Sequence, residues 1–335
     1  MFLWWTLLRR MIRIKNAYRV TSIADFISLR YNKSASIAAL VTAIALLGIV
    51  PYIALQLKAI ITTFGLITHS AGTTDAGWAS RHAGLLMAVM IAVFTIVLGV
   101  RRVVPTERHQ GMVLAMAVES LVKLAALLAV GAFVTYHLFD GLGDLFQRFA
   151  ESPFQQSIAA AQASPEFHFT WTTYLVLSMA AFLFLPRQFH MMVVENFHER
   201  HLRTALWLCP LYMLLITVFI LPIAMGGLLS GHAVEEADTF VLQLPMGAGR
   251  PWLSLLVFLG GFSAATGMVM ISSMTIATMV TNHLLLPALD VVRPLGFLKR
   301  HLLHSRWVCV ALLILTGYWF LRQVGVYFTL VDIGV

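Results

Sequence analysis

Long apolar runs separated by short polar segments make up most of the chain. A helix needs about 20 predominantly apolar residues to cross the hydrocarbon core of a bilayer. Seven runs are candidates for such helices: Ile37–Leu57, Leu85–Val100, Met112–Leu138, Thr172–Leu185, Ala205–Leu229, Trp252–Leu286 and Trp307–Leu321. The second run is short, so we expect it to extend or to tilt. The pattern predicts an all-α integral membrane protein with about seven transmembrane helices in a lipid bilayer.

The connecting segments alternate between basic and non-basic. Residues 1–34 carry seven Lys or Arg, whereas residues 67–83 carry one Arg and one Asp. The alternation continues to residues 231–249, which hold three carboxylates and neither Lys nor Arg. Because basic loops remain on the cytoplasmic side, this alternation predicts a cytoplasmic N-terminal segment in a bacterial-type inner membrane.

The two ends of the chain suggest a fragment of a longer protein. Residues 1–34 are interpreted as the cytoplasmic end of a truncated helix followed by a loop, and residues 35–335 as the seven spans. The apolar stretch from Val324 to Val335 stops in the middle of its pattern. We therefore expect one partial transmembrane domain over residues 1–335.

The composition argues against several function classes. Hydrophobic residues make up 59% of the chain and charged residues 11%, which is too apolar for a soluble domain. The net charge is +8, but the basic residues lie in short loops rather than on a stripe with exposed aromatic residues, so no nucleic acid partner is expected. The chain has no phosphate-binding glycine loop and no nucleophile elbow, so it is not expected to be an enzyme by itself.

The histidines and cysteines do not predict a transition-metal site. His190, His198 and His201 lie near one another in the sequence but do not have the HExxH spacing of a helical metal site. Cys209 and Cys309 lie inside apolar runs, where a thiol behaves as a small hydrophobic group.

Two polar pairs interrupt the apolar runs. Glu119 and Lys123 are four residues apart, so they share one helix face and could pair. They could line a substrate cavity, or they could be a neutralised pair that packs the bundle. Ser272 and Ser273 are adjacent hydroxyls that suit a hard monovalent cation, but serine is also an ordinary residue of helix contacts.

Two prolines mark further candidate positions. Pro186 follows the fourth run and precedes Arg187 and Gln188. This cluster could break a helix where it lines a substrate cavity, or it could end the helix at the cytoplasmic face. Pro51 lies in the first run ahead of Gln56, which could contact a substrate or simply follow a kink.

Several segments carry a resemblance to the sodium/solute symporter family, which includes proline, pantothenate and sugar symporters. They are residues 22–31, Pro51–Ala59 and Val269–Ser273, and the resemblance covers essentially the whole chain. It implies a LeuT-like inverted-repeat fold of five plus five helices with a site at mid-membrane. The seven spans would be the family's helices four to ten.

The resemblance is nearer to one branch, in which the symporter-like domain precedes a sensor histidine kinase. Thr106–Met112, Glu119–Lys123, Leu185–His190 and Val194–Asn196 resemble that branch. It implies a two-component system with a C-terminal kinase domain and a response regulator as partners. A stand-alone symporter and a receptor that binds solute without moving it are the alternatives.

The resemblance also implies a sodium site and a solute. The Val269 carbonyl and the Ser272 and Ser273 hydroxyls correspond to the family's sodium ligands on this helix, and the remaining ligands would precede Met1. Gln56, Glu119, Lys123, Pro186 and Gln188 are the candidate cavity residues. Arg187 and Gln188 depart from the transporters' pattern, so the substrate is not transferable, although an amino acid is the family's expectation. Na+ is the expected coupling ion.

Overall fold

The computed structural model describes residues 2–70, 78–99, 110–196, 198–291 and 301–324, and these are almost entirely helical. The helices are α1 (Phe2–Tyr18), α2 (Ile23–Arg30), α3 (Ala35–Ser70), α4 (Trp78–Gly99), α5 (Gln110–Phe133), α6 (Leu142–Ala150), α7 (Pro153–Gln162), α8 (Pro165–Phe184), α9 (Pro186–Phe189), α10 (Glu199–Thr217), α11 (Ile220–Leu229), α12 (Phe240–Gly247), α13 (Pro251–Val280), α14 (Leu286–Val291) and α15 (Leu302–Val324). The described residues contain no strand. Parts of the charged segments ahead of Gln110 and of Leu302 lie outside the described residues.

Seven stretches of the described residues are long and apolar enough to cross a membrane, which confirms the predicted fold class. They are Ala35–Thr68, His82–Gly99, Gly111–Leu138, Pro165–Phe184, Glu199–Leu229, Pro251–Asp290 and Leu302–Val324. The first is longer than predicted because the helix continues past Lys58 to Ser70. The fourth begins at Pro165, where the proline occupies a first-turn position that lacks a helical hydrogen bond anyway. The inverted repeat stays a prediction.

Prolines and π-helical turns interrupt several of these stretches. Pro51 lies inside α3 and Pro210 inside α10, where neither can donate the usual hydrogen bond to the carbonyl four residues earlier. Turns of π-helix follow α5, α9 and α13 at Val134–Leu138, His190–Val194 and Thr281–Leu285. Such turns are frequent at functional positions of helices.

The chain forms two compact units. The first unit comprises Met1–Met116, Leu183–Thr204 and Ala265–Val335. In it α15 packs against α3 and α4, and the approach to α3 is close because Gly317 faces Ile53 without a side chain. The helix α1 packs on the π turn His190–Val194.

Ionic contacts fix α1 in the first unit. Arg9 and Arg13 both donate to the Glu199 carboxylate, with Nε to oxygen distances of 2.5 and 2.7 Å. Lys15 Nζ donates to the Asn196 carbonyl at 3.1 Å. These contacts tie the basic N-terminal helix to the start of α10 and to the segment that follows α9.

The second unit comprises Ala117–Phe182 and Ala205–Ala264. Its core forms where α11 packs against α6 and α12, and Gly227 leaves the space that the Phe240 ring fills. Leu145 and Phe149 of α6 are buried against Met225. The α6 helix, within residues 140–168, is therefore packed into the core of this unit.

Candidate functional site

The middle of α13 is the most buried part of any spanning stretch. In the most apolar 18-residue segment of this spanning stretch 50% is buried, whereas the corresponding share is at most 28% in the other six stretches. Every residue from Val269 to Ala277 has a relative exposure of 4% or less. A spanning helix that faces protein on all sides has no lipid contact over that length. The three predicted sodium ligands, Val269, Ser272 and Ser273, all lie in this segment.

The two serines differ in their hydrogen bonding. Ser273 Oγ donates to the Val269 carbonyl at 2.7 Å, which brings two of the predicted ligand oxygens together. Ser272 Oγ is buried and has no hydrogen-bond partner among the described residues. An unsatisfied buried hydroxyl costs about 1–3 kcal/mol. Its oxygen fits a hard cation, which takes oxygen ligands, so the donor set fits sodium.

One face of α13 leads from Ser272 to an aromatic contact. Met268 lies one helical turn before Ser272, on the same face. Tyr52 Oη of α3 donates to Met268 Sδ at 3.0 Å. The guanidinium carbon of Arg187 lies 3.9 Å from the centroid of the Tyr52 ring. Tyr52, Arg187 and Met268 therefore form one contiguous group from three separate segments of the first unit.

This group lies deep along both helices. Tyr52 is the eighteenth of the 36 residues of α3, and Met268 is the eighteenth of the 30 residues of α13. At a rise of 1.5 Å per residue, each is about 25 Å from the end where its helix begins. Arg187 therefore touches α3 near its middle rather than near either end.

The break itself follows from local chemistry. Leu185 has extended backbone angles, with φ −64° and ψ 127°, as is preferred for the residue before a proline. Pro186 then starts the short helix α9, and the Phe189 amide donates to the Leu185 carbonyl at 2.9 Å. Pro186, Arg187 and Gln188 are partly buried. The chain thus turns the Arg187 side chain onto Tyr52.

The remaining predicted cavity residues lie in both units of the chain. Gln56 is partly buried and lies one turn after Tyr52 on the same face of α3. Glu119 and Lys123 are partly buried on α5 in the second unit. Within the described residues, no hydrogen bond or ion pair joins them, although the Lys123 charge acts on Glu119.

The α5 helix makes a close contact within the second unit. A Cβ on Gly260 would lie 3.1 Å from Ala126 Cβ and 3.5 Å from Lys123 Cα. This contact identifies Gly260 as a packing residue. Tyr212 Oη donates to the Ser120 carbonyl at 3.2 Å, beside Glu119. Sequence reasoning did not identify Tyr212, since a lone tyrosine in an apolar run gives no signal of its partner.

A buried pair near Arg187 was also missed from the sequence. His190 Nε2 lies 3.3 Å from Glu195 Oε1, and both side chains are almost inaccessible. Residues five apart do not face each other on an ordinary α-helix. Here the π turn His190–Val194 brings His190 and Glu195 together. Arg187 and Tyr52 could be noticed more easily in the sequence, because each directly follows a proline. Among the described residues, no group of three His, Cys, Asp or Glu side chains could hold a metal ion.

Comparison with known proteins gives one distant similarity. The chain is 24% identical over 271 residues to the uncharacterized symporter YhjB of Bacillus subtilis (strain 168), an alignment that covers 77% of this chain and 50% of that protein. The chain spans about half the length of this curated relative. No family model matches the chain, and no solved structure matches it. The seven spanning stretches and this similarity together indicate a symporter-like, multi-pass membrane protein.

Proposed function

We propose that this chain forms part of a membrane domain that moves a small organic solute together with sodium. The observation that carries the proposal is the near-complete burial of Val269, Ser272 and Ser273 in the middle of α13, with the Ser272 hydroxyl unsatisfied. The similarity to a curated symporter supports solute transport as the class of activity. Residues 1–34 are proposed to lie on the cytoplasmic side of a bacterial inner membrane.

The residues of the first unit suggest how ion and solute would influence each other. Bound sodium would supply a positive charge at the otherwise unsatisfied Ser272 hydroxyl. Val269 and Ser273 would hold a carbonyl and a hydroxyl oxygen at the same level of α13, already 2.7 Å apart. Tyr52 contacts the same face one turn away, at Met268. Sodium bound at Ser272 would therefore also restrain the contiguous group of Tyr52, Arg187 and Met268, where the solute is proposed to bind.

The finer proposal is an amino acid solute and a sensory role. It is supported by the resemblance of Leu185–His190 and Glu119–Lys123 to symporter-like domains of sensor histidine kinases. In that role, solute occupancy would bias the domain between two states, and a kinase domain would pass the change to a response regulator. Autophosphorylation of the intact protein in membranes, with and without an amino acid mixture, tests this. A rate independent of the mixture contradicts sensing while leaving transport standing.

Thermal unfolding of the intact protein in detergent tests the sodium site. The protein is compared in NaCl and in choline chloride of equal ionic strength. At a sodium concentration ten times the dissociation constant, binding adds about 1.4 kcal/mol to the free energy of unfolding. We expect this gain in the wild type and its loss in the Ser272→Ala, Ser273→Ala double variant.

A matched control lies on the same helix. Ser254 is a buried serine of α13 whose hydroxyl donates to the Arg250 carbonyl at 3.1 Å, like that of Ser273 to Val269. Ser254→Ala should therefore keep the full sodium effect. A wild type that does not respond to sodium contradicts the proposed site, and so does an equal response in all three proteins.

A further inference from the structure

Arg187 carries a partly buried charge that has no role in the proposed sodium site. Its Nη1 is inaccessible and has no hydrogen-bond partner among the described residues. No carboxylate among those residues lies within ion-pair distance of the guanidinium, which stacks on the Tyr52 ring. An arginine within a membrane domain is costly and ordinarily has a partner.

The Tyr52 ring offsets only part of this cost. A guanidinium over an aromatic face gains a weak electrostatic attraction, and the ring offers no acceptor in the guanidinium plane. Arg187 has five N–H donors in a fixed planar fork. Stacking on Tyr52 fixes the orientation of that plane, and Nη1 at its edge has no hydrogen-bond partner among the described residues.

We propose that Arg187 binds the carboxylate of the transported solute, in an orientation set by Tyr52. A carboxylate matches the guanidinium fork with two parallel hydrogen bonds. It would also bring a negative charge to a guanidinium that has no carboxylate within ion-pair distance among the described residues. The proposal rests on the proposed transport function and names its substrate class as carboxylate-bearing solutes, which excludes sugars and other solutes without a carboxylate.

The position of Arg187 agrees with this role. It contacts the middle of α3 and reaches α13 through Tyr52 and Met268. Ser272, the unsatisfied hydroxyl of the proposed sodium site, is one turn of α13 beyond Met268. A solute carboxylate at Arg187 and a cation at Ser272 would therefore carry opposite charges within the same unit, which favours their joint binding.

Ligand-induced thermal stabilisation of the intact protein tests the inference. The probes are the common amino acids and short mono- and dicarboxylates, each compared at equal concentration with the compound in which an amide replaces the carboxylate. At least one carboxylate should raise the melting temperature, and its amide should not. Charge-assisted hydrogen bonds contribute about 1.5–3 kcal/mol, so Arg187→Gln should weaken that response about 10- to 100-fold in concentration.

Three further variants separate anchoring from folding. Arg187→Lys keeps the charge without the fork and should respond between the wild type and Arg187→Gln. Tyr52→Leu keeps Arg187 but removes the ring that orients it, so it should also bind the carboxylate more weakly. Arg322→Gln removes an exposed positive charge of α15 and should respond as the wild type does.

The outcomes separate this inference from the proposed function. Equal responses to a carboxylate and its amide overturn the carboxylate anchor. Stabilisation by chloride alone overturns it too, and so does the failure of every carboxylate to raise the melting temperature. If Arg187→Gln responds to the carboxylate at the same concentration as the wild type, the carboxylate anchor is overturned as well. If sodium still stabilises these proteins, the sodium-coupled function stands while the substrate class falls. If sodium stabilises none of them, the proposed function itself fails.

Discussion

The contact between Gly317 and Ile53 fixes how closely α15 approaches α3, and it can be tested by adding one methyl group. A Cβ on Gly317 would lie 2.6 Å from Ile53 Cγ2 and 3.0 Å from Ile53 Cβ. Ile53 is fully buried and next to Tyr52, so it has little room to yield. Gly317→Ala should therefore displace α3 at the point where it meets Arg187.

The magnitude follows from two opposing effects. Overpacking a well-packed core costs about 1–3 kcal/mol, whereas replacing glycine by alanine within a helix gains about 1 kcal/mol. Gly48 of α3 provides the second effect alone, because a Cβ there meets nothing within 4 Å. The free energy of unfolding of Gly317→Ala should thus lie about 1–3 kcal/mol below that of Gly48→Ala.

Unfolding titrations with sodium dodecyl sulfate in mixed micelles measure this difference. A double-mutant cycle with Ile53→Ala should give a coupling free energy of about 0.5–3 kcal/mol, because the shortened side chain relieves the clash. Equal stabilities for the two glycine variants, or no coupling to Ile53, would refute the close approach of α15 to α3.

Three other predictions concern separate contacts. Glu199→Gln removes the shared partner of two arginines of α1, so limited trypsin digestion of the native protein should cleave α1 faster, while the exposed Glu166→Gln should not change the rate. Hydrogen bonding from Arg148 holds the pKa of Asp144 below its usual range; this contribution to stability is present above the ordinary pKa of Asp144 and is lost as the pH falls through the lowered value. Arg148→Gln should therefore raise the Asp144 pKa toward its ordinary value, as a carboxyl titration by NMR would show. Gln56→Ala should weaken carboxylate binding and leave the sodium response unchanged. A weakened sodium response would contradict the assignment of Gln56 to the solute cavity.

The spanning helices could be predicted from the sequence because hydropathy over about 20 residues depends only on local composition. Their ends were less predictable, since α3 continues past Lys58 to Ser70 without losing its helical hydrogen bonds. Ser272 and Ser273 are buried, and sodium binding there stays a prediction.

The contacts of the site were not predictable in the same way. Arg187 lies 135 residues from Tyr52 in sequence, and their stacking arises from the break at Pro186 and the packing of α3. The His190 and Glu195 contact depends on a π turn, which helical periodicity does not anticipate. Long-range contacts of this kind follow from tertiary packing rather than from local pattern.

Uptake by proteoliposomes tests the central claim most directly. The intact protein is reconstituted and given a mixture of radiolabelled amino acids outside, with an inward sodium gradient or an equal potassium gradient. The account predicts accumulation with sodium above the potassium level, abolished by a sodium ionophore and by Ser272→Ala with Ser273→Ala. Equal accumulation in both gradients would contradict sodium coupling, and sodium-dependent binding without any accumulation would make the protein a receptor instead of a transporter.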